Sequence, residues 1–234
     1  MREEVTERFI AFLAIESFSV KKLAVVGGTS LDPEVAHLNK FLTDLEVHYF
    51  GIENNSNDLN FHYLDINQDY ELNSFKNYFD LVVSSQVIEH IWNHSNYFNI
   101  LTSMPKKGGY LWVNCPASNL VHGSPDYYSA GMTSNYLVKN LETRSVQTIV
   151  SGQLGNKRYY MATHFARYWQ TPKENKHPIL GYNFQTGTLL GVAKKFILDL
   201  PSRIILIFMS RDHDLKHEYS TEAYVGARVK VTKS

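Results

Sequence analysis

Cysteine, net charge and long apolar runs are all scarce in this sequence. Its 234 residues include one cysteine, Cys115, and 23 basic residues balance 23 acidic ones. A single cysteine excludes an intramolecular disulfide, and a chain without net charge has no field that draws it to polyanions. We therefore expect neither a disulfide-stabilised fold nor a nucleic-acid partner.

The most apolar late stretch, 189–209, is interrupted by charged residues and a proline. Lys194, Asp199 and Arg203 exclude a bilayer-spanning helix there, although an amphipathic segment lying on a membrane surface stays open. The opening residues, Met-Arg-Glu-Glu, lack the pattern of a secretory signal. We expect a cytoplasmic protein without membrane insertion.

The composition is that of a folded globular protein, with 44% apolar and 20% charged residues. A chain of 234 residues suits one large α/β domain and is short for two. We expect a single domain over 1–234, with an N-terminal helix in 1–20, a core in 20–150, and a cover with closing strands in 150–234. The tail at 186–217 leaves open whether a second subunit docks to form a homodimer.

Helical and strand patterns alternate over the first 150 residues. Apolar spacing predicts an amphipathic helix over 3–18, and Asp32-Pro33 predicts the capped start of a second helix. The Lys107-Gly108-Gly109 segment predicts the stop after a third helix. Strands are predicted at 22–26, 47–52, 61–64, 79–85, 110–114, 144–150 and 224–232, and helices also at 95–104 and 133–141. This order predicts an α/β fold, a Rossmann-like three-layer sandwich with a mostly parallel seven-stranded sheet and an antiparallel closing strand.

Three signals in chain order indicate a nucleoside-bearing ligand. Gly27-Gly28 after the first strand lets backbone approach a ligand, Glu53 after the second strand can accept ribose hydroxyls, and Asp65 follows the third. Each signal alone is common at turns and strand ends, so the prediction rests on the ordered set. The G-x-G-x-x-G spacing of dinucleotide loops is missing, and Asp32 would repel a pyrophosphate. A cofactor without phosphates is favoured over NAD.

Five segments resemble the successive motifs of the class I S-adenosylmethionine (SAM)-dependent methyltransferases. They are KLAVVGG at 22–28, GIE at 51–53, LD at 64–65, FDLVVSSQVIEHI at 79–91 and PKKGGYL at 105–111. The fourth segment, followed by the KGG of the fifth, is the most specific to that family. The resemblance covers about residues 20 to 142.

This resemblance implies SAM as the cofactor and assigns it a set of contact residues. It implies that Gly27 and Gly28 approach the methionine part, Glu53 the ribose, Asp65 and Ile66 the adenine, and Ser85 and Gln86 the amino-acid end. The sequence departs from the family at Val25, where an acid is usual, and in the missing third glycine of the loop.

The segment HGSPDYY at 122–128 is similar to an H-x-x-P-D-Y-Y pattern on the acceptor side of some family members. Methyl transfer requires an aligned nucleophile, exclusion of water and, for acceptors that carry a proton, a base. His122 and Asp126 are therefore candidate bases, and Tyr127 and Tyr128 are candidate walls of a substrate pocket. A loop packed by its own tyrosines is the equally weighted alternative. His90, at the end of the fourth-strand motif, is the third catalytic candidate.

Other reactive residues receive plainer interpretations. His90 and His94 are four residues apart, but the sequence offers no third ligand, so we predict no metal site. Cys115, inside an apolar strand, is predicted to be a buried small hydrophobe. The aromatic region containing Tyr159, Tyr160 and Trp169, with His164, lines a pocket or covers the sheet.

Three functional hypotheses follow. The first is an enzyme that moves a methyl group from SAM to an oxygen or nitrogen of a small molecule or sugar unit. The second is a non-catalytic member of the same fold that acts as a binding or scaffold protein, supported by Val25 and the short glycine turn. The third, an NAD-dependent oxidoreductase, shares the topology but lacks the glycine spacing.

Overall fold

The structure is a computed structural model that describes residues 2–16, 19–53, 60–68, 72–118, 125–155, 160–161, 196–197, 200–201, 204 and 221–230. The chain divides into two compact units, Met1–Leu154 with Glu222–Ser234, and Gly155–Thr221. The helices and strands named below belong to the first unit.

Within the described ranges of the first unit, four helices and seven strands follow one another. They are α1 (Arg2–Glu16), β1 (Lys22–Val26), α2 (Pro33–Phe41), β2 (Glu46–Gly51), β3 (Phe61–Tyr63), β4 (Phe79–Ser85), α3 (His94–Ser103), β5 (Pro105–Pro116), α4 (Ser134–Glu142), β6 (Val146–Leu154) and β7 (Glu222–Val229). Short 3-10 turns at Asn73–Phe75 and Ile88–His90 flank β4. Of the helices in the described ranges, none has the length and apolar character needed to cross a bilayer.

The strands form a seven-stranded sheet in the order β3-β2-β1-β4-β5-β7-β6. The first five strands pair in parallel, and β7 lies antiparallel between β5 and β6. The strand order reverses direction between β1 and β4, and ligands of open α/β sheets bind in the crevice at such a point. The predicted fold class, including the antiparallel closing strand, is confirmed.

Apolar side chains cover both faces of the sheet, because alternate residues of a strand point to opposite faces. On one face, Leu23 and Val25 of β1 pack in a cluster with Phe9 of α1 and Val35 of α2. On the other face, Ala24 and Val26 join a cluster that includes Phe98 of α3 and Leu137 of α4. This arrangement gives the predicted three layers of helix, sheet and helix.

The first helix is held by aromatic packing on the sheet. Phe9 and Phe12 are fully buried, with ring centroids 5.3 and 5.6 Å from that of Trp112 in β5. A Cβ atom at Gly226 of β7 would lie 2.7 Å from a ring carbon of Phe12. Glycine at this position therefore lets α1 lie directly on the closing strands.

Two local predictions are corrected by the structure. The Lys107-Gly108-Gly109 segment lies inside β5, which begins at Pro105 because this residue already pairs with Phe79 of β4 across an irregularity in the register. The carboxylate of Asp32 does not cap α2; it accepts a hydrogen bond from the Thr29 amide at 3.0 Å and closes the loop before the helix.

Candidate functional site

A cavity of about 710 Å³ opens at the carboxyl ends of β1 to β4, where the strand order reverses. Its volume lies within the range of cavities that hold small ligands and cofactors. The described residues that line it come from β2, β3 and the loops that follow the parallel strands. They are Gly27, Gly28, Thr29, Phe50, Gly51, Ile52, Glu53, Phe61, Leu64, Asp65, Ile66, Asn67, Gln86, Val87, His90, Ile91 and Asp126.

The glycine turn after β1 forms the floor of this cavity. Gly27 has φ +72°, a left-handed conformation that residues with a Cβ rarely adopt, and its amide donates to the Phe50 carbonyl at 2.7 Å. A Cβ atom at this position would lie 2.6 Å from a methyl carbon of Val87. The turn is therefore closely packed against the loop after β4, and its backbone is accessible from the cavity.

Two acids follow β2 and β3 on the next part of the wall. Glu53 is exposed and lies two residues after the end of β2. The carboxylate of Asp65 accepts hydrogen bonds from the Asn67 amide at 3.0 Å and from the Gln68 side-chain amide at 2.7 Å. Asp65 thus shapes the turn after β3, and Glu53 belongs to the lining of the cavity.

Asn67 ties the turn after β3 to the loop after β4. Its side-chain oxygen accepts from the backbone amides of Trp92 and Asn93, at 2.9 and 3.3 Å. Asn96 in α3 donates to the carbonyl oxygens of Ile66 and Gln68 at 2.8 and 2.7 Å. These bonds fix the wall that carries the buried side chain of Ile66.

Ser85, the last residue of β4, and Gln86, which follows it, border a second cavity of about 50 Å³. Gln86 lines both cavities, whereas Ser85 lines the smaller one. Gln86 has φ +57°, a strained conformation for a residue other than glycine. Its side-chain amide donates to Asn114 and to Glu222 at 3.0 and 2.8 Å, so its position is fixed from two sides.

His90 and the loop after β5 meet at the other side of the cavity. Nδ1 of His90 lies 2.5 Å from the backbone carbonyl oxygen of Asp126, and its ring packs edge-on against Tyr127 with centroids 5.7 Å apart. Because a carbonyl oxygen only accepts, Nδ1 is the nitrogen that carries the proton when the ring is neutral. Nε2 lies 3.9 Å from the buried carboxylate of Glu89.

The charge of the cavity wall has one sign. Three carboxylates, those of Glu53, Asp65 and Asp126, belong to the described lining, and no Lys or Arg does. Phosphate groups are usually bound by cationic side chains or helix N-termini. This wall favours a ligand that is neutral or positively charged where it meets the protein.

Neither a family model nor a curated protein matches this sequence. Solved structures match its fold. A SAM-dependent methyltransferase from Archaeoglobus fulgidus superposes with a TM-score of 0.54 at 15% identity, over 97% of this chain and 94% of that one. The cyclase SpnF gives a TM-score of 0.57 at 13% identity, over 97% of this chain and 81% of that one. The chain has the class I methyltransferase fold.

A phosphoethanolamine N-methyltransferase from Haemonchus contortus, solved in complex with SAM, also matches, with a TM-score of 0.56 at 14% identity. The match covers 96% of this chain, which spans 53% of the Haemonchus enzyme. Proteins with the methyltransferase fold therefore include both methyltransferases and a cyclase, and the fold alone leaves the reaction open.

Within the methyltransferase fold, the structure brings most of the predicted site residues to one cavity. Those that line it are Gly27, Gly28, Glu53, Asp65, Ile66, Gln86, His90 and Asp126. Ser85 lies at the smaller cavity. Tyr127 contacts His90, and the hydroxyl of Tyr128 lies 3.3 Å from the Asp126 carboxylate. His122, Tyr159, His164 and Trp169 lie outside the described residues, and the predicted roles of all these residues stay predictions.

Sequence reasoning missed the polar residues that hold Gln86. Asn114 lies in β5 and Glu222 at the start of β7, and neither belongs to a recognisable motif. Their partner is Gln86, 28 residues before Asn114 and 136 before Glu222. A polar residue within the apolar strand at 110–116 is the one local signal that points to Asn114.

Metal ligands and the single cysteine are the other candidate reactive groups. In the described part of the chain, no group of three or more His, Cys, Asp and Glu is arranged to hold a metal ion. Cys115 is fully buried, as predicted. Burial first, and then the charges of Glu89 and Glu222, hold the pKa of its thiol well above the ordinary value of 9.0. A thiol in this state is a poor nucleophile.

Proposed function

We propose that this protein is a SAM-dependent methyltransferase that acts on an oxygen or nitrogen of a small molecule or sugar unit. One observation carries the proposal: the cavity at the strand-order reversal combines a glycine turn with three carboxylates and, among its described lining residues, no Lys or Arg. A sulfonium cofactor without phosphates suits such a wall, and a pyrophosphate does not.

The residues present fit the parts of that cofactor. Gly27 and Gly28 line the cavity without side chains of their own and are assigned to the methionine part. The exposed carboxylate of Glu53 can accept both ribose hydroxyls. Ile66 is 5% exposed and offers an apolar surface for adenine beside Asp65, and Gln86 with Ser85 is assigned to the amino-acid end.

Bound SAM would supply an electrophilic methyl group on a positively charged sulfur. The protein's part is then to align the acceptor with the methyl group, exclude water and take up the acceptor's proton. Nε2 of His90 can accept that proton, since Nδ1–H is held by the Asp126 carbonyl. The Glu89 carboxylate, 3.9 Å away, would stabilise the resulting imidazolium. Asp126 and His122 are the other candidate bases, and Tyr127 and Tyr128 the candidate walls of the acceptor pocket.

The proposal is tested first by calorimetry with SAM and with its demethylated product, S-adenosylhomocysteine, on protein shown to be free of co-purified ligand. We expect micromolar dissociation constants for both and no binding of NADH. An acceptor screen that detects S-adenosylhomocysteine then follows. In His90→Asn, whose amide can keep the bond to Asp126, turnover should fall about 100-fold while SAM affinity stays within about 2-fold. No binding at millimolar SAM would contradict the proposal.

The second candidate function is a non-catalytic binding or scaffold protein. The specific observation in its favour is Val25, which is 1% exposed in β1, where the resemblance leads one to expect an acid. The cyclase SpnF also has this fold. Absence of SAM binding, together with a stably folded chain, would favour this candidate. We propose the cytoplasm as the location for either function, because a single cysteine cannot form an intramolecular disulfide.

A further inference from the structure

The feature that carries a further inference is a chain of hydrogen bonds behind the cofactor cavity. It begins at Glu34, whose carboxylate accepts from the Asn114 side-chain amide at 2.9 Å. Asn114 accepts in turn from the Gln86 side-chain amide at 3.0 Å, and Gln86 donates its second hydrogen to Glu222 at 2.8 Å. Four side chains from α2, β5, the loop after β4, and β7 are thus joined.

The carboxylates at the two ends fix the orientation of both amides. An ionised carboxylate only accepts, so the Asn114 group facing Glu34 is its NH₂, and the Gln86 group facing Glu222 is likewise its NH₂. The Asn114 oxygen is then left to accept from Gln86, which agrees with the observed contact. The same Asn114 NH₂ also donates to the Ser85 hydroxyl at 2.8 Å, so both hydrogens of the Asn114 nitrogen are donated.

The side-chain oxygen Oε1 is the group of Gln86 that remains to accept a hydrogen bond. Both hydrogens of its side-chain nitrogen are donated, and among the described residues nothing donates to its Oε1. Its backbone is held as well, because its amide donates to the Asn114 carbonyl at 2.9 Å in the left-handed conformation. A strained residue that is fixed this firmly at a cavity wall typically serves a ligand.

The free group of Gln86 selects the kind of ligand atom that it can meet. An amide oxygen accepts hydrogen bonds and repels a carboxylate, so its partner must be a donor. Asp32, Glu34 and Glu222 border the adjoining small cavity, and no Lys or Arg belongs to its described lining. An ammonium group suits this place, whereas a carboxylate does not.

We propose that Glu222 is a positioning residue for the amino-acid end of the cofactor, and that it holds Gln86 so that Oε1 accepts a hydrogen bond from the α-ammonium group. This inference rests on the proposed function. Glu222 acts through Gln86, and its role depends on a contact between β7 and the loop after β4 that spans 136 residues of sequence.

The test compares three ligands by calorimetry. S-Adenosylhomocysteine carries the ammonium and the carboxylate, its decarboxylated analogue keeps the ammonium, and 5′-methylthioadenosine lacks both. In Glu222→Ala, affinity for the first two ligands should fall about 10-fold, and affinity for 5′-methylthioadenosine should stay within about 2-fold. Glu222→Gln can still accept from Gln86 through its amide oxygen and should restore affinity to within about 3-fold of the parent. Glu142→Ala, an exposed glutamate of α4, serves as the matched control and should change none of the three.

Several outcomes would overturn this assignment. An equal loss for all three ligands would mean a structural role for Glu222, and no loss in Glu222→Ala would mean no role at the site. A decarboxylated analogue that keeps full affinity in this variant would exclude the ammonium as the group held. If Glu222→Ala does not fold, Gln86→Met must show the same selective loss, and failure to do so overturns the assignment. Parent protein that binds none of the three contradicts the proposed function itself, which separates that failure from this one.

Discussion

Polar side chains lie at both ends of the parallel strands, but they have different partners at the two ends. At the amino ends they pair with one another: the Asp80 carboxylate of β4 accepts from the amides of Lys21 and Lys22, each at 2.9 Å, and pairs with the ammonium of Lys106. At the carboxyl ends, Glu53 and its neighbours line a cavity with no Lys or Arg in its described wall.

A second group at the amino ends shows the same pairing. Glu46 at the start of β2 accepts from the Tyr78 hydroxyl at 2.8 Å and contacts His48 at 2.8 Å, which in turn contacts His62 of β3 at 2.8 Å. The Lys22 ammonium lies 3.7 Å from the centre of the Tyr78 ring. Similar residue types thus serve stability at one end of the sheet, whereas we infer that they serve ligand binding at the other. Substitutions should therefore separate the two properties.

The largest effect is expected for Asp80→Ala at the amino ends. It leaves two backbone amides and Lys106 without their acceptor, and the free energy of unfolding should fall by about 3 kcal/mol in urea denaturation. Affinity for S-adenosylhomocysteine should be unchanged. The control Asp44→Ala, at an exposed residue between α2 and β2, should stay within about 0.5 kcal/mol of the parent. A loss of affinity in step with stability would break the comparison.

The difference in unfolding free energy between the parent and Asp80→Ala should depend on pH. Burial alone would raise the pKa of Asp80, but the hydrogen bonds from Lys106, Lys21 and Lys22 and the charge of Lys106 outweigh it and hold the pKa below its ordinary value of 3.8. The stabilisation is therefore complete above pH 3.8 and is lost as the pH falls through the folded-state pKa. The difference in stability between the parent and Asp80→Ala should therefore narrow in strong acid.

The next effect is expected for Glu53→Ala at the carboxyl ends. Glu53 is exposed, so the Tm without ligand should change little. The variant loses hydrogen bonds to the ribose hydroxyls, which should weaken S-adenosylhomocysteine binding by about 2 kcal/mol, or about 30-fold. Calorimetry on the variant checks this, with Glu53→Gln as an intermediate case. Unchanged affinity would remove Glu53 from the site.

The smallest effect is expected for His62→Gln, which tests the pairing of the histidines. Burial, and then the charge of His48, lower the pKa of His62 below its ordinary value of 6.5. The unfolded chain therefore takes up this proton first, and stability falls as the pH is lowered through 6.5 towards the folded-state pKa. Removing the ring should reduce the difference in Tm between pH 8 and pH 5.5 by about 2 °C. His37→Gln, on α2, is the control, and equal changes in both variants would contradict the assignment.

The elements that the sequence predicted best are those whose signals are local. The apolar run at 79–85 became β4 with the same bounds, because a fully buried parallel strand needs a continuous apolar segment. Gly27 lies at a left-handed turn, as a glycine after a buried strand indicates. The placement of Glu53 and Asp65 at one cavity followed from the rule that carboxyl ends of parallel strands share an edge.

The parts that escaped prediction depend on contacts between distant segments. β5 extends back through Lys107-Gly108-Gly109 because Phe79 offers Pro105 a pairing partner, a fact that no window of the sequence around 107 contains. Asp32 bonds to Thr29 and not to the helix, because the glycine turn bends the loop over its carboxylate. Glu222 meets Gln86 only after β7 has been inserted into the sheet.

That insertion has a consequence for the order of events during protein synthesis. β7 lies between β5 and β6, yet it follows both of them in the chain, with residues 155–221 in between. Until residues 222–229 leave the ribosome, β5 and β6 each present an unpaired edge, and unpaired edges invite pairing with other chains. The sheet of a nascent chain therefore remains incomplete between β5 and β6 while residues 155–221 are translated. Slowing translation within that stretch should lengthen the period in which the chain needs protection by a chaperone.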